Sequence, residues 1–264
     1  MPRETAIAWT HSTFNPWWGC VKISPGCSRC YAAAFAHRIG QEVWGVDAPR
    51  RFFGDKHWNE PRKWNAAAAR DGRIHRVFCA SMADAFEERA DLDGQRERLF
   101  RLIEETPALT WQLLTKRPEN VRDMVPPSWL KSWPAHAWIG TTTEDQQRVN
   151  ERVPHLLRVP APVRFLSVEP LIEGVTLPLP GIGWVIVGGE SGAGARPFDP
   201  AWAQSIVGQC RRANVACFVK QMGSVWSREA GAQDYQGADP AEWAEDLRVQ
   251  EFPAAMRPAI TLKN

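Results

Sequence analysis

Long apolar runs are missing from this chain. No stretch of its 264 residues approaches the ~18 apolar residues of a membrane span, and Met1-Pro2-Arg3-Glu4-Thr5 lacks the apolar core of a secretory leader. A cytoplasmic protein is therefore expected. A large charge excess is missing too: 32 Lys and Arg stand against 30 Asp and Glu, a formal net charge of +2, so the chain as a whole is no polycation. Cysteine is scarce, with six in all, which excludes a disulfide-stapled mini-protein.

Three of those six fall within eleven residues. Cys20, Cys27 and Cys30 are separated by six and two residues, and Pro25-Gly26 supplies a turn able to fold the three sulfurs toward one point. A disulfide is a poor fit, because Cys27 and Cys30 are too close in sequence to close a useful loop and one thiol is left over. A metal suits the spacing. Three thiolates without an evident fourth match a four-iron-four-sulfur cluster with one iron open. Zinc is the alternative, with His11 or His37 as a fourth ligand. Cys79, Cys210 and Cys217 lie in apolar surroundings and read as small buried hydrophobes.

Charge is unevenly spread. Arg38 to Arg76 holds nine Lys and Arg against five Asp and Glu, an excess of +4, and it carries Trp44, Phe52, Phe53 and Trp58. Cations mixed with rings suit a nucleic acid, although a solvated surface loop explains the same residues.

Secondary structure reads as a repeat. Ile7-Ala8-Trp9 is expected to be a first strand feeding the cysteine loop, with a helix over Tyr31 to Ile39 and Gly40 ending it. A basic aromatic insertion, 41–61, follows, and Pro61 opens a helix to Arg70. Five further apolar runs end in polar residues and alternate with helices. They are Val77 to Ala80, Leu109 to Leu114, Ala137 to Ile139, Val163 to Leu166 and Trp184 to Val187; Ala216 to Val219 makes a sixth. Pro170 to Gly183 is the one crossover that reads poorly as helix. Such alternation implies a parallel sheet covered by helices, with polar residues gathered at the C-terminal strand ends. Because every strand contributes some, the fold expected is an α/β partial (βα) barrel of six or seven strands. One domain over 1–264 is expected, with residues 223–264 as a peripheral cap.

The residues that carry a resemblance are Trp9-Thr10, Asn15-Pro16-Trp17, Gly19-Cys20, Ser24-Pro25-Gly26-Cys27 and Cys30-Tyr31-Ala32. Later blocks join them: Ser81 to Asp84, Leu114 to Pro118, Ser167 to Leu171, Gly188 to Gly192 and Phe218 to Gln221. From about Trp9 to Gly223 the chain resembles a phage-associated, three-cysteine-motif, radical-SAM-like family of unknown function. More distantly it resembles radical SAM enzymes, from which it departs in having six residues between its first two cysteines and Arg29 before the third. The resemblance implies a four-iron-four-sulfur cluster on Cys20, Cys27 and Cys30, S-adenosylmethionine as cofactor, and hydrogen abstraction from a substrate, nucleic acid or nucleotide-derived on the charge reading. It implies cofactor contacts from Tyr31, Ser167, Glu169, Gly188, Gly189, Glu190 and Ser191, and substrate contacts from Asp84, Lys116, Arg117, Glu144 and Lys220. Gly188-Gly189-Glu190 is similar to the segment that holds the methionyl amino group in that superfamily, and equally to a plain tight turn. The alternative is a non-enzymatic, zinc-containing nucleic-acid-binding protein. A partner protein is left open.

Overall fold

The computed structural model describes residues 5–254. In chain order its strands are β1 (Ser12–Thr13), β2 (Trp17–Trp18), β3 (Arg51–Phe52), β4 (His75–Cys79), β5 (Leu109–Thr115), β6 (Ala137–Thr142), β7 (Arg164–Val168), β8 (Trp184–Gly188) and β9 (Ala216–Gln221). Its helices are α1 (Tyr31–Arg38), α2 (Asp55–Trp58), α3 (Glu60–Asp71), α4 (Asp93–Glu104), α5 (Val121–Met124), α6 (Pro127–Lys131), α7 (Gln146–Leu157), α8 (Pro200–Ala213) and α9 (Ser224–Ala230). Seven strands form one sheet in the order β1-β4-β5-β6-β7-β8-β9, every pair parallel, while β2 and β3 form a separate antiparallel ribbon. Among the described residues no helix is long and apolar enough to cross a membrane.

The two-residue alternation of each strand sorts its side chains onto two layers. Val77, Cys79, Trp111, Leu113, Ile139, Leu166, Val168, Val185, Val187 and Val219 pack in the large core beneath the helices. The alternate positions turn inward and are mostly aromatic: Phe78, Trp138, Phe165, Trp184 and Phe218. Gly140 is what lets the Phe165 ring in, since a Cβ there would lie 2.4 Å from it.

That inner layer shows that the sheet curls. Four strand spacings separate β4 from β8, about 19 Å if the sheet were flat. Yet the Trp9 indole lies 4.6 Å from the Phe78 ring of β4 and 6.0 Å from the Trp184 ring of β8, so one side chain bridges the interior. The edges β1 and β9 are not paired with each other, which makes this a half-barrel of seven strands. The tail covers the β9 edge. Val219 N–H donates to the Val249 carbonyl and Glu251 N–H to the Cys217 carbonyl, both at 2.8 Å, and this pairing protects an otherwise open edge. Phe252 then turns beneath the interior, 5.5 Å from Trp184 and 5.3 Å from Phe218, with the Arg76 guanidinium 4.2 Å over its ring.

Several expectations change. Ile7-Ala8-Trp9 is not a strand: it turns inside the curl, and the first strand is Ser12–Thr13, paired with Val77 and Phe78. The crossover from Pro170 to Gly183, as expected, has no helix, and Leu171, Val175, Leu177, Leu179 and Ile182 bury an irregular strap in its place. Within the basic stretch, Arg50 is buried on Glu87 at 2.6 Å with further bonds to the carbonyls of Val43, Gly45 and Ala48, and Trp58 is core. Neither is free to meet a phosphate or a base. Of the tail described as a cap, residues 255–264 lie outside the described residues, and Gln236 and Ala238 reach the cavity described next.

Candidate functional site

A cavity of about 420 Å³ opens at the C-terminal ends of the strands, inside the range of small-molecule sites, ~300–1,000 Å³. Its floor is Trp9, Phe78 and Leu114, and its wall includes Cys20, Cys27 and Cys30. The cysteine loop leaves β2 and stands beside the end of β4, where Gly19 pairs with Ala83 and Gly19 N–H donates to the Met82 carbonyl at 3.0 Å.

Three side-chain clasps hold that loop to the sheet. The Glu144 carboxylate, fully buried after β6, accepts from the Ser24 hydroxyl and from Gly26 N–H (3.0 Å), while its other oxygen takes Arg152 at 2.7 Å. Glycine at 26 leaves room for this close approach, since a Cβ there would sit 2.8 Å from that carboxylate. After β5, Arg117 donates to Asp84 (2.9 Å), to the Val21 carbonyl (3.0 Å) and toward Cys20 Sγ (3.7 Å). After β8, Arg196 grips both Glu190 oxygens at 2.8 and 3.0 Å and donates to the Pro25 carbonyl at 3.1 Å. Breaking a buried pair such as Asp84–Arg117 leaves an uncompensated charge and costs about 3–5 kcal/mol, so these clasps are strong enough to fix the loop.

The site residues named from sequence fall into three groups. Tyr31, Ser167, Glu169, Gly189, Glu190, Ser191, Asp84, Lys116 and Lys220 line the cavity beside the three cysteines. Gly188 does not; it is the last residue of β8, packed against Gln221. Glu144 does not line it either, and its oxygens are taken by the loop it anchors. Among the residues that do line it, Asp84 is saturated as well, accepting from Thr115, Lys116 N–H and Phe86 N–H besides Arg117. Glu169 pairs with Lys220, whereas Lys116 reaches the Thr142 hydroxyl at 3.2 Å and meets no carboxylate among the described residues. Gly189 is held to glycine because a Cβ would lie 2.2 Å from the Met222 carbonyl. Arg152 and Arg196 were not legible from sequence: one lies within α7, the other in a glycine-rich loop, and neither belongs to a motif.

The thiols differ in their surroundings. Burial pushes Cys20 up to about 12, the nearby Asp84 charge adds to this, and Arg117 partly offsets it. Burial works against ionising Cys27 as well, but the Lys116 cation, backbone hydrogen bonds at Ile23 and Ser24 and the Ser24 hydroxyl outweigh it and lower its pKa. Cys79 is buried with its pKa raised, as an inert thiol should be. Neither histidine completes a zinc site. His37 pairs with Glu42 on an exposed helix end, and His11 lies at the opposite end of the sheet beside Arg76 and His75. Among the described residues no three His, Cys, Asp or Glu side chains stand close enough to hold a single metal ion. Donors to a cluster sit on separate irons and so stand farther apart, and the thiolate-favouring surroundings of Cys27 and the Arg117 donor at Cys20 fit such a group.

A family profile matches residues 4–251, nearly the whole chain. The chain belongs to the family described as protein of unknown function DUF5131. No curated protein matches it. Among solved structures it is similar to a spore photoproduct lyase carrying a cysteine-to-alanine substitution, with a dinucleoside spore photoproduct. That similarity has 12% identity and a TM-score of 0.43, and it covers 78% of this chain and 54% of the lyase, so the chain spans about half the length of that protein.

Proposed function

We propose that this DUF5131 protein is a radical SAM-type enzyme, with a four-iron-four-sulfur cluster on Cys20, Cys27 and Cys30 and S-adenosylmethionine in the adjoining cavity. The observation that carries the reading is that all three thiols face one cavity at the C-terminal ends of seven parallel strands. When bound, the two cofactors supply one-electron cleavage of the sulfonium and a 5′-deoxyadenosyl radical able to take hydrogen from a substrate.

The chain's own residues do the rest. Arg117, Glu144 and Arg196 fix the loop, and the Lys116 and Arg117 cations offset the negative charge that three thiolates bring. Glu169, Ser167, Gly189 and Ser191 form the polar wall on which the cofactor rests. Glu190 orders that wall through Arg196, and Tyr31, its hydroxyl bonded to the Ser81 carbonyl at 3.0 Å, closes one side of the mouth. Lys116, free of a carboxylate, is the group best placed to take an anionic part of cofactor or substrate. Trp9, Phe78 and the aromatic layer below seal the floor from water, which a radical reaction requires. A nucleic acid or nucleotide-derived molecule is the substrate class.

The test is turnover without substrate. Anaerobic, cluster-loaded protein given a strong reductant should convert S-adenosylmethionine slowly to 5′-deoxyadenosine and methionine, read by chromatography. Cluster-loaded protein that neither binds nor cleaves the cofactor would overturn the reading.

A further inference from the structure

The large apolar side chains left exposed among the described residues are not scattered. Ile23, Tyr31, Phe35, Ile39, Val46 and Phe52 all fall between residues 23 and 52, and Tyr235 of the tail is the remaining one; Phe52, opposite Trp17, projects from the other side of the ribbon from Trp18 and Arg51. Tyr31, Phe35 and Ile39 recur every four residues and so share one face of α1. The neighbouring face, Ala32 and Ala36, is buried with Val43 and Met82. Trp18 ties this helix to the β2–β3 ribbon, with its ring 6.0 Å from Phe35 and 5.7 Å from Phe53. The resulting surface starts at the cavity, because Tyr31 lines the cavity mouth. Contiguous exposed apolar surface of this kind marks a recognition site.

Its cations say what it recognises. The Arg38 guanidinium lies 5.5 Å over the Phe35 ring, and that of Arg51 lies 4.7 Å over Trp18 and 5.4 Å over Phe53. Among the described residues Lys22, Arg38, Arg51 and Lys56 have no carboxylate partner, whereas Glu42 is taken by His37 and Asp55 by Arg98. Desolvating the unpaired Arg38 and Arg51 cations that lie over these rings against an ordinary protein surface is costly. A polyanion with flat, unstacked rings satisfies both the charges and the aromatics at once, and only an unpaired strand offers its bases in that way.

We infer that the face formed by α1 and the β2–β3 ribbon holds a single-stranded nucleic acid and delivers one nucleotide of it into the cavity. This rests on the reading of the cavity as the reaction site and adds its substrate and docking surface. Arg50 takes no part, being buried on Glu87.

The test uses the full chain with its iron counted beforehand, a labelled short oligothymidylate, and the duplex of that strand with oligoadenylate, followed by fluorescence anisotropy over a salt series. The single strand should bind at least about tenfold tighter than the duplex. Phe35→Ala and Phe53→Ala should each weaken it roughly 5- to 150-fold, the range that loss of one stacking ring gives. Arg38→Ala with Arg51→Ala should flatten the slope of log affinity against log salt by about 1.4. Iron content and substrate-free cofactor cleavage should be unchanged in all of these variants. Undetectable binding, duplex binding as tight as that of the strand, or unchanged affinity in both ring variants would overturn the inference. Seen in iron-loaded, cofactor-cleaving protein, those results would leave the cavity reading standing; strand binding by protein that takes up no iron would sink the cavity reading alone.

Discussion

The two ends of the half-barrel are made from the same seven strands and share almost nothing else. At the C-terminal end the strands release charged and hydroxyl residues, and each carboxylate there is claimed by a partner: Asp84 by Arg117, Glu144 by Arg152, Glu169 by Lys220, Glu190 by Arg196. At the other end the interior is closed by rings, with Trp184 in contact with Trp9, Trp138, Phe165, Phe218 and Phe252. One end spends stability on ordering a loop and a cavity, and the other supplies it. The difference teaches that a polar residue at a strand end is not by that fact a reacting group. Asp84, Glu144 and Glu190 look alike in sequence, yet all three work mainly as clasps.

Variants at the two ends should therefore fail in different ways. Trp184→Ala has the largest expected effect, a loss of about 3–5 kcal/mol in denaturant unfolding, because it opens a void where five rings meet. The cysteine loop should still load iron in whatever fraction remains folded. Glu144→Gln should cost less, about 1–3 kcal/mol, since Arg152 keeps its bond to the Thr142 carbonyl at 2.8 Å. Its effect on iron uptake should be disproportionate, because Ser24 and Gly26 lose a charged acceptor; normal uptake with lowered stability would show that the clasp is mere packing.

How much of this was legible in the sequence follows the same division. The strands from Val77 to Val219 announce themselves as short apolar runs ending in polar residues, and helices alternate with them as expected, α8 (Pro200–Ala213) among them. Trp9 misled because an apolar triplet reads the same whether it joins a sheet or plugs its interior. The β2–β3 ribbon, two residues a side, is too short to leave a pattern. Partners far apart in sequence were invisible: Arg50 reads as a surface cation until Glu87 stands beside it, and Glu144 reads as a substrate ligand until Ser24 and Gly26 do.

The smallest effect separates the ends by pH. Burial, with the Arg76 and His75 charges, lowers His11 at the aromatic end from 6.5 to about 4. The unfolded chain takes up that proton first, so stability is complete above about 6.5 and falls as the pH drops toward 4. His57 and His75 are lowered as well, chiefly by burial, and act in the same direction. His11→Asn should make thermal unfolding less sensitive to acid across that window without removing the dependence. An unchanged slope would mean that His11 does not sense the burial seen here.

The central claim is that Cys20, Cys27 and Cys30 together hold a cluster. Its most direct measurement is iron, sulfide and zinc per chain after anaerobic reconstitution, in the wild type and in Cys20→Ala, Cys27→Ala, Cys30→Ala and Cys79→Ala. The account predicts about four irons in the wild type and in Cys79→Ala, and loss of the cluster in each of the other three. One zinc with no iron in the wild type, or a full complement of iron in Cys27→Ala, would contradict it.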